Sequence, residues 1–288
     1  MKQLQFFLVL QLLLLMALAD LALGAQNPET EIPQYSPYRP ELITGVAVTA
    51  TLGLVQYLIP LNHDSQRLFP DEVNGLDRSM RDRWHTRSDN FLDGTIGALY
   101  TPAATGAIIT VLNLAERAPT PRIGSELLIF ANGALANKFL TRSFKRAFSR
   151  RRPELDFANE PGKIEMWEKD SAHESFYSGH ASTAFFSASF LRRRISQSLA
   201  LHGHSGIGSG YQWLTAIGLY SWAAYVGYSR IQIDKHYFTD VVAGMVMGLL
   251  FEEIYHQLNR GHWNFYSSWH PALQADSGTL QLCLVKSL

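Results

Sequence analysis

Residues 229–258 read SRIQIDKHYFTDVVAGMVMGLLFEEIYHQL. Thr239 to Leu258 is far longer than an ordinary strand of about 5–6 residues, and its Leu, Met and Val content with scattered Ala reads as helix. Working outward, five more apolar segments have similar length and composition. They are Ile43–Ile59, Phe91–Leu114 with Pro102 as an expected kink, Glu126–Phe148, a segment from just after His180 to about Arg194, and Tyr211–Tyr228. Period-2 alternation occurs only in Thr279-Leu280-Gln281-Leu282-Cys283-Leu284, where it predicts a small strand. The expected fold class is all-α, a helical bundle of about six core helices.

The 288 residues suit one large domain or two small ones, and the formal net charge is zero. A neutral chain has no overall pull toward nucleic acid, and no nucleic-acid partner is expected. Its positive charge is nevertheless clustered: Arg142, Lys145, Arg146, Arg150, Arg151 and Arg152 lie in one stretch with no acid between them. The single cysteine, Cys283, excludes an internal disulfide and a cysteine-based metal site.

Lys2, an apolar run from Phe6 to Leu18 and small residues around Ala22, Gly24 and Ala25 read as a secretory signal peptide over residues 1–24, or as an uncleaved anchor. An irregular, Pro-rich segment follows over 25–40, then the helical domain over 41–260 and a C-terminal tail over 261–288. Mean hydropathy is −0.05, low for six lipid-facing helices, although small and polar residues can also serve helix contacts inside a bilayer. The expected location is exported, periplasmic and membrane-associated, with an integral membrane protein as the alternative. The loop HGHSGIGSG over 202–210 reads as a flexible connection in preference to a metal site at His202 and His204.

Three stretches carry chemistry. In Ser229–Asp240, His236 and Asp240 are four apart. If a helix begins near His236, the carboxylate lies one turn on and can take the Nδ1 proton, leaving Nε2 nucleophilic. Arg230, in the preceding loop on this reading, could fork onto phosphate oxygens. The plainer alternative is a helix cap. In Lys145–Pro153, Lys145 and Arg152 are seven apart and share a face if the helix continues to Pro153; a solvated basic face is the alternative. In Tyr177-Ser178-Gly179-His180, the glycine and helix-start amides form an anion cradle, the Ser178 hydroxyl adds a donor, and His180 is placed to protonate a leaving oxygen. An N-cap serine beside a surface histidine would read the same.

Taken jointly, the three stretches resemble the signature of the type-2 phosphatidic acid phosphatase and vanadium haloperoxidase superfamily. That signature is Lys, six residues, Arg-Pro; Pro-Ser-Gly-His; and Ser-Arg, five residues, His, three residues, Asp. Lys145, Arg152 and Pro153 meet the first part, and Ser229, Arg230, His236 and Asp240 the third. Tyr177 stands where the second part has proline. The resemblance implies a helical bundle with the site at helix ends. It implies His236 as nucleophile, Asp240 as its orienting group, and His180 as general acid and then base. Lys145, Arg152, Ser178, Gly179 and Arg230 would bind the phosphate. It also implies metal-independent hydrolysis of a phosphomonoester or pyrophosphate through phosphohistidine, with no cofactor, although vanadate could occupy the phosphate site. A vanadate-dependent haloperoxidase and a soluble broad-specificity acid phosphatase are the alternatives. The expected partner is a phosphorylated lipid or small phosphoester. Arg192-Arg193-Arg194 read either as a patch for a lipid surface or as a solvated helix end.

Overall fold

The computed structural model describes residues 40–59, 73–85, 99–156, 170–201, 208–259, 269–276 and 279–286. Eight α-helices occur among them: α1 (Pro40–Leu58), α2 (Gly75–Trp84), α3 (Thr101–Ala115), α4 (Thr120–Phe148), the single-turn α5 (Pro153–Asp156), α6 (Gly179–Leu201), α7 (Gly208–Gln232) and α8 (Phe238–Asn259). The helical bundle is as expected from length and composition. The leader over 1–24 and the histidines at 202 and 204 lie outside the described residues.

Two local readings change. Pro102 is not a kink; it sits in the first turn of α3, where a missing N–H leaves no helix bond unmade. The predicted strand in the tail has a partner: β1 (Trp269–Asp276) and β2 (Thr279–Lys286) form an antiparallel hairpin, with Trp269 opposite Lys286 and Asp276 opposite Thr279. The alternation that marks β2 is interrupted by Pro271 in β1, which explains why only one strand was legible.

α6 is the centre of the bundle, packing against α3, α4, α7 and α8. Its faces divide by side-chain size. Ala184 and Ala188 let α7 close in through Ala223 and Val226. Phe186 stands on another face and meets Phe130 of α4 and Phe251 and Tyr255 of α8. A ring buried at this depth is worth about 3–5 kcal/mol against alanine. α8 crosses α6 so closely that a Cβ on Gly244 would run into the Ser178 carbonyl, and one on Gly248 into the Ser182 carbonyl. This backbone-to-backbone approach draws the N-terminus of α8 against the N-terminus of α6.

The basic cluster at 192–194 is neither a lipid patch nor a solvated end. Arg194 is buried and bonds Glu116 and Glu126. Arg193 bonds Glu252 and Glu253, and Arg192 donates to the Tyr220 hydroxyl. Among the described residues, no helix is long and apolar enough to cross a membrane.

Candidate active site

The turn between α7 and α8 places His236. Lys235 and His236 both donate their N–H to the Arg230 carbonyl, and Asp234 takes a left-handed φ of 55°. The chain thus reverses within a few residues. α8 begins two residues after His236, in line with the expected helix start near it, whereas Arg230 sits in the last turn of α7 and not in a loop, which corrects its sequence placement. Asp240, in the first turn of α8, reaches back to accept the Tyr237 N–H at 3.0 Å, half of a capping box.

Asp240 Oδ2 also lies 3.9 Å from His236 Nδ1, close enough for strong electrostatic coupling and too long for a hydrogen bond. His236 Nδ1 has no hydrogen-bond partner among the described residues. Burial pushes the imidazole pKa down to about 3; Lys145 and Arg152 add to that, and the Asp240 carboxylate opposes it. His236 is therefore neutral, as a nucleophile must be. Burial alone would raise the Asp240 pKa, but His236, Arg150 and Ser175 outweigh it and hold the carboxyl below its ordinary value.

The first motif converges by a different route from the one expected. α4 stops at Phe148, and Ser149 turns left-handed at φ 44° and ψ 41° with its N–H on the Lys145 carbonyl. Lys145 and Arg152 therefore do not share a helix face; a tight turn carries Arg152 back toward Lys145. Strand-like bonds hold the turn: Arg152 N–H to Ala172 O and Ser175 N–H to Arg150 O, each 3.0 Å. Burial and then Arg152 push the Lys145 pKa down to about 8. Burial also lowers the Arg152 pKa, and its Nε has no hydrogen-bond partner among the described residues. Two neighbouring cations, one depressing the other, beside an unpartnered donor are the groups that an anion would satisfy.

At the second motif, α6 starts at Gly179, two residues before the expected Ala181. Ser178 is its cap: Oγ accepts the Ala181 N–H at 3.4 Å. The Ser178 N–H is spent on the Asp240 carbonyl at 3.0 Å, tying α6 to α8. The groups that an anion cradle would use here are therefore the Ser178 hydroxyl and the Gly179 amide at the start of α6. A Cβ on Gly179 would lie 3.1 Å from Thr141 Cγ2, so the helix start is packed tightly onto α4. His180 is the second residue of α6. Tyr177 is fully buried with its ring 5.3 Å from Phe144 and its hydroxyl 3.3 Å from Thr141 Oγ1. Burial raises its pKa far above the ordinary phenol value, so it acts as a core plug and not as an acid.

The eight sequence-predicted residues thus come from the end of α4, the start of α6, the end of α7 and the start of α8, which backbone bonds hold together. The structure adds three that the sequence reading missed. Arg150 and Ser175 bond the Asp240 carboxylate, and Asp77 of α2 bonds Arg150. Arg150 was hidden among six basic residues, and Asp77 stands in a mixed-charge stretch with no distinguishing signal. Among the described residues, no group of three His, Cys, Asp or Glu side chains could hold a metal ion.

Two histidines, an aspartate and three cations stand at the joined helix ends, and residues 126–263 match the PAP2 superfamily. Three curated relatives resemble the chain in alignments 238 positions long that cover 74% of it: phospholipid phosphatase 2 from Bos taurus at 26% identity, from Rattus norvegicus at 25% and from Mus musculus at 26%. The alignment covers 66% of the Bos taurus protein and 68% of the other two, so the chain spans about two thirds of the length of these relatives. No solved structure matches.

Proposed function

We propose that this protein is a phosphatase that hydrolyses a lipid phosphate monoester through a covalent phosphohistidine. The observation that carries the reading is the pairing of a buried neutral imidazole with a buried carboxylate beside two cations, Lys145 and Arg152, that both disfavour a charged imidazole. The similarity to phospholipid phosphatases supports the lipid substrate class.

His236 Nε2 attacks phosphorus as the bond to the leaving alkoxide breaks, and His180 gives that oxygen a proton. The imidazole becomes positive as it attacks, and Asp240 accepts its Nδ1 proton in a hydrogen bond that shortens from the resting 3.9 Å. Lys145, Arg152 and Arg230, with the Ser178 hydroxyl and the Gly179 amide, neutralise the charge spread over the equatorial oxygens. Water then attacks the phosphohistidine, His180 takes its proton, the P–N bond breaks, and inorganic phosphate leaves. These residues supply the whole sequence without a metal or cofactor, and vanadate, a mimic of the five-coordinate state, is expected to inhibit by occupying the same place. An exported, membrane-associated location fits a lipid substrate.

The test is phosphate release from a panel of lipid and soluble phosphoesters, with acid-labile, base-stable label trapped on the protein. Wild type should favour lipid phosphates and trap label, and His236→Ala should do neither. Full activity in His236→Ala would sink the mechanism, and preference for soluble esters would sink the substrate class.

A further inference from the structure

We propose that Asp77 and Arg150 form a two-step brace that positions Asp240, and through it the attacking imidazole of His236. This rests on the phosphohistidine reading above and adds to it two residues outside the residues matched to the family signature.

Arg150 stands between two fully buried carboxylates. One guanidinium nitrogen, Nη1, donates to Asp240 Oδ1 and to Thr239 Oγ1 at 2.8 Å; the other, Nη2, donates to Asp77 Oδ2 at 2.7 Å. The plane of the fork lies over the Tyr237 ring at 4.2 Å. With Oδ1 held by Arg150, and Oδ2 held by Ser175 Oγ and the Tyr237 N–H, the Asp240 carboxylate cannot rotate. Its Oδ2 stays turned toward His236 Nδ1.

Asp77 fixes Arg150 and caps α8 from another helix. Its Oδ1 accepts the Thr239 N–H at 2.9 Å, and its Oδ2 accepts the Thr239 hydroxyl at 2.8 Å. α2 grips the same hairpin a second time, on the other side of His236. Arg81 forks onto Asp234 at 2.8 and 2.6 Å, and Trp84 packs edge-on against Tyr228 and Phe238. The described packing of α2 thus falls on the end of α7 and the start of α8, the two elements that flank the nucleophile. Three buried charges in a chain are a poor device for stability alone, because an apolar cluster of equal volume does as well or better. They are a good device for holding one carboxylate in one orientation.

The experiment compares full-length wild type with Asp77→Asn, Arg150→Met, Arg150→Lys and the Asp77→Asn/Arg150→Met double variant, assayed on short-chain phosphatidic acid and p-nitrophenyl phosphate. Asn at position 77 keeps the shape and one cap bond while removing the charge that holds Arg150. Each single variant should lower kcat about 10–100-fold, with KM within about twofold because neither residue touches the phosphate. Arg150→Lys should recover only part, since an ammonium cannot fork between two carboxylates. The double variant should be no slower than the slower single one. Multiplying losses, or a loss confined to KM, would overturn the brace. Ile109→Ala, buried in the core on α3, a helix that supplies no candidate site residue, controls for general loosening and should not lower kcat to the same extent at equal loss of melting temperature. If Arg150→Met does not fold, Thr239→Val replaces it, removing both hydroxyl bonds.

Should wild type turn over no phosphoester, the phosphatase reading fails and the brace is read on its own by ¹⁵N NMR of His236. Asp77→Asn should shift the Nδ1 resonance, and Ile109→Ala should not. An unchanged resonance in Asp77→Asn would sink the brace whatever the reaction.

Discussion

Arg150 and Arg194 are both buried, and each joins two carboxylates on different elements, yet they sit in opposite electrostatic settings. Arg194 lies fifteen residues into α6, roughly 22 Å along its axis from the start at Gly179. It forks onto Glu116 at 2.9 and 2.8 Å and reaches Glu126 at 2.8 Å, with Arg122 closing the same group. All three of its guanidinium nitrogens are used. Arg150 is satisfied too, but its neighbours are not: Arg152 Nε and His236 Nδ1 have no hydrogen-bond partner among the described residues, and Lys145 is pushed toward losing its proton. One ion network is closed and staples α3, α4 and α6. The other is open on one side, toward the place where a phosphate would lie. A buried polar atom without a partner costs about 1–3 kcal/mol; such atoms also occur elsewhere in the bundle, as at Asn113 Oδ1, but at Arg152 the unpartnered donor is a cation beside a second cation, Lys145, the pairing that a bound anion would satisfy.

Removing the open network's centre should break activity without breaking the fold. His236→Ala is expected to lower phosphate release by about 10⁴-fold or more, the scale seen when a nucleophile is deleted. Its melting temperature should stay level or rise, because the variant removes a buried, unpartnered nitrogen. A large drop in melting temperature would show that His236 is a structural residue. The closed network should behave in reverse. Arg194→Met leaves Glu116 and Glu126 without their main partner at a cost of about 3–5 kcal/mol. That corresponds to roughly a 10 °C fall in melting temperature for a chain of this size. The kcat/KM of the folded fraction should stay within about twofold, so a loss of turnover matching His236→Ala would erase the distinction between the two networks.

Gly244 couples the two ends. Its Cβ-free backbone lets the Asp240 carbonyl reach the Ser178 N–H, and alanine there would push the start of α8 off α6. Gly244→Ala should cost about 1–3 kcal/mol from overpacking, and should also lower kcat because Asp240 moves with the helix start. Gly248→Ala, one turn further from the site, should cost similar stability and less turnover. Equal kcat losses in both would mean that the contact is structural only.

The helices were legible because their apolar runs are long and their ends carry strong punctuation, so segments read from composition reappear as α1, α3, α4, α6, α7 and α8. The eight candidate site residues were legible because their spacing is fixed by short turns at helix ends. The path through those turns was not. Whether α4 continues through Ser149 depends on tertiary bonds to residues 172–175, and no local propensity reports them. Asp77 was illegible for the same reason: its partners lie 73 and 162 residues away, and in sequence it is one acid among mixed charges. Arg193 and Arg194 show the converse case, a basic run whose apparent surface character vanished once Glu252, Glu116 and Glu126 folded against it.

The smallest expected effect separates activity from stability within a single side chain. In the proposed mechanism Lys145 binds phosphate as an ammonium, and burial with Arg152 nearby pushes its pKa in the free protein down from 10.5 to about 8. Above that pH the cation is lost, so kcat/KM should fall about tenfold per pH unit, while the limb seen in kcat moves upward because a bound phosphate dianion favours the charged form. Stability should move the other way. Between about pH 8 and 10.5 the unfolded chain keeps a proton on this lysine that the folded chain has released, so Lys145 contributes a rise in stability with pH across that window. Lys145→Arg stays charged throughout and should abolish both trends, leaving kcat/KM flat above pH 8 and the melting temperature without its alkaline gain. An alkaline limb that persists in Lys145→Arg would assign it to another group and leave Lys145 as a spectator in the open network.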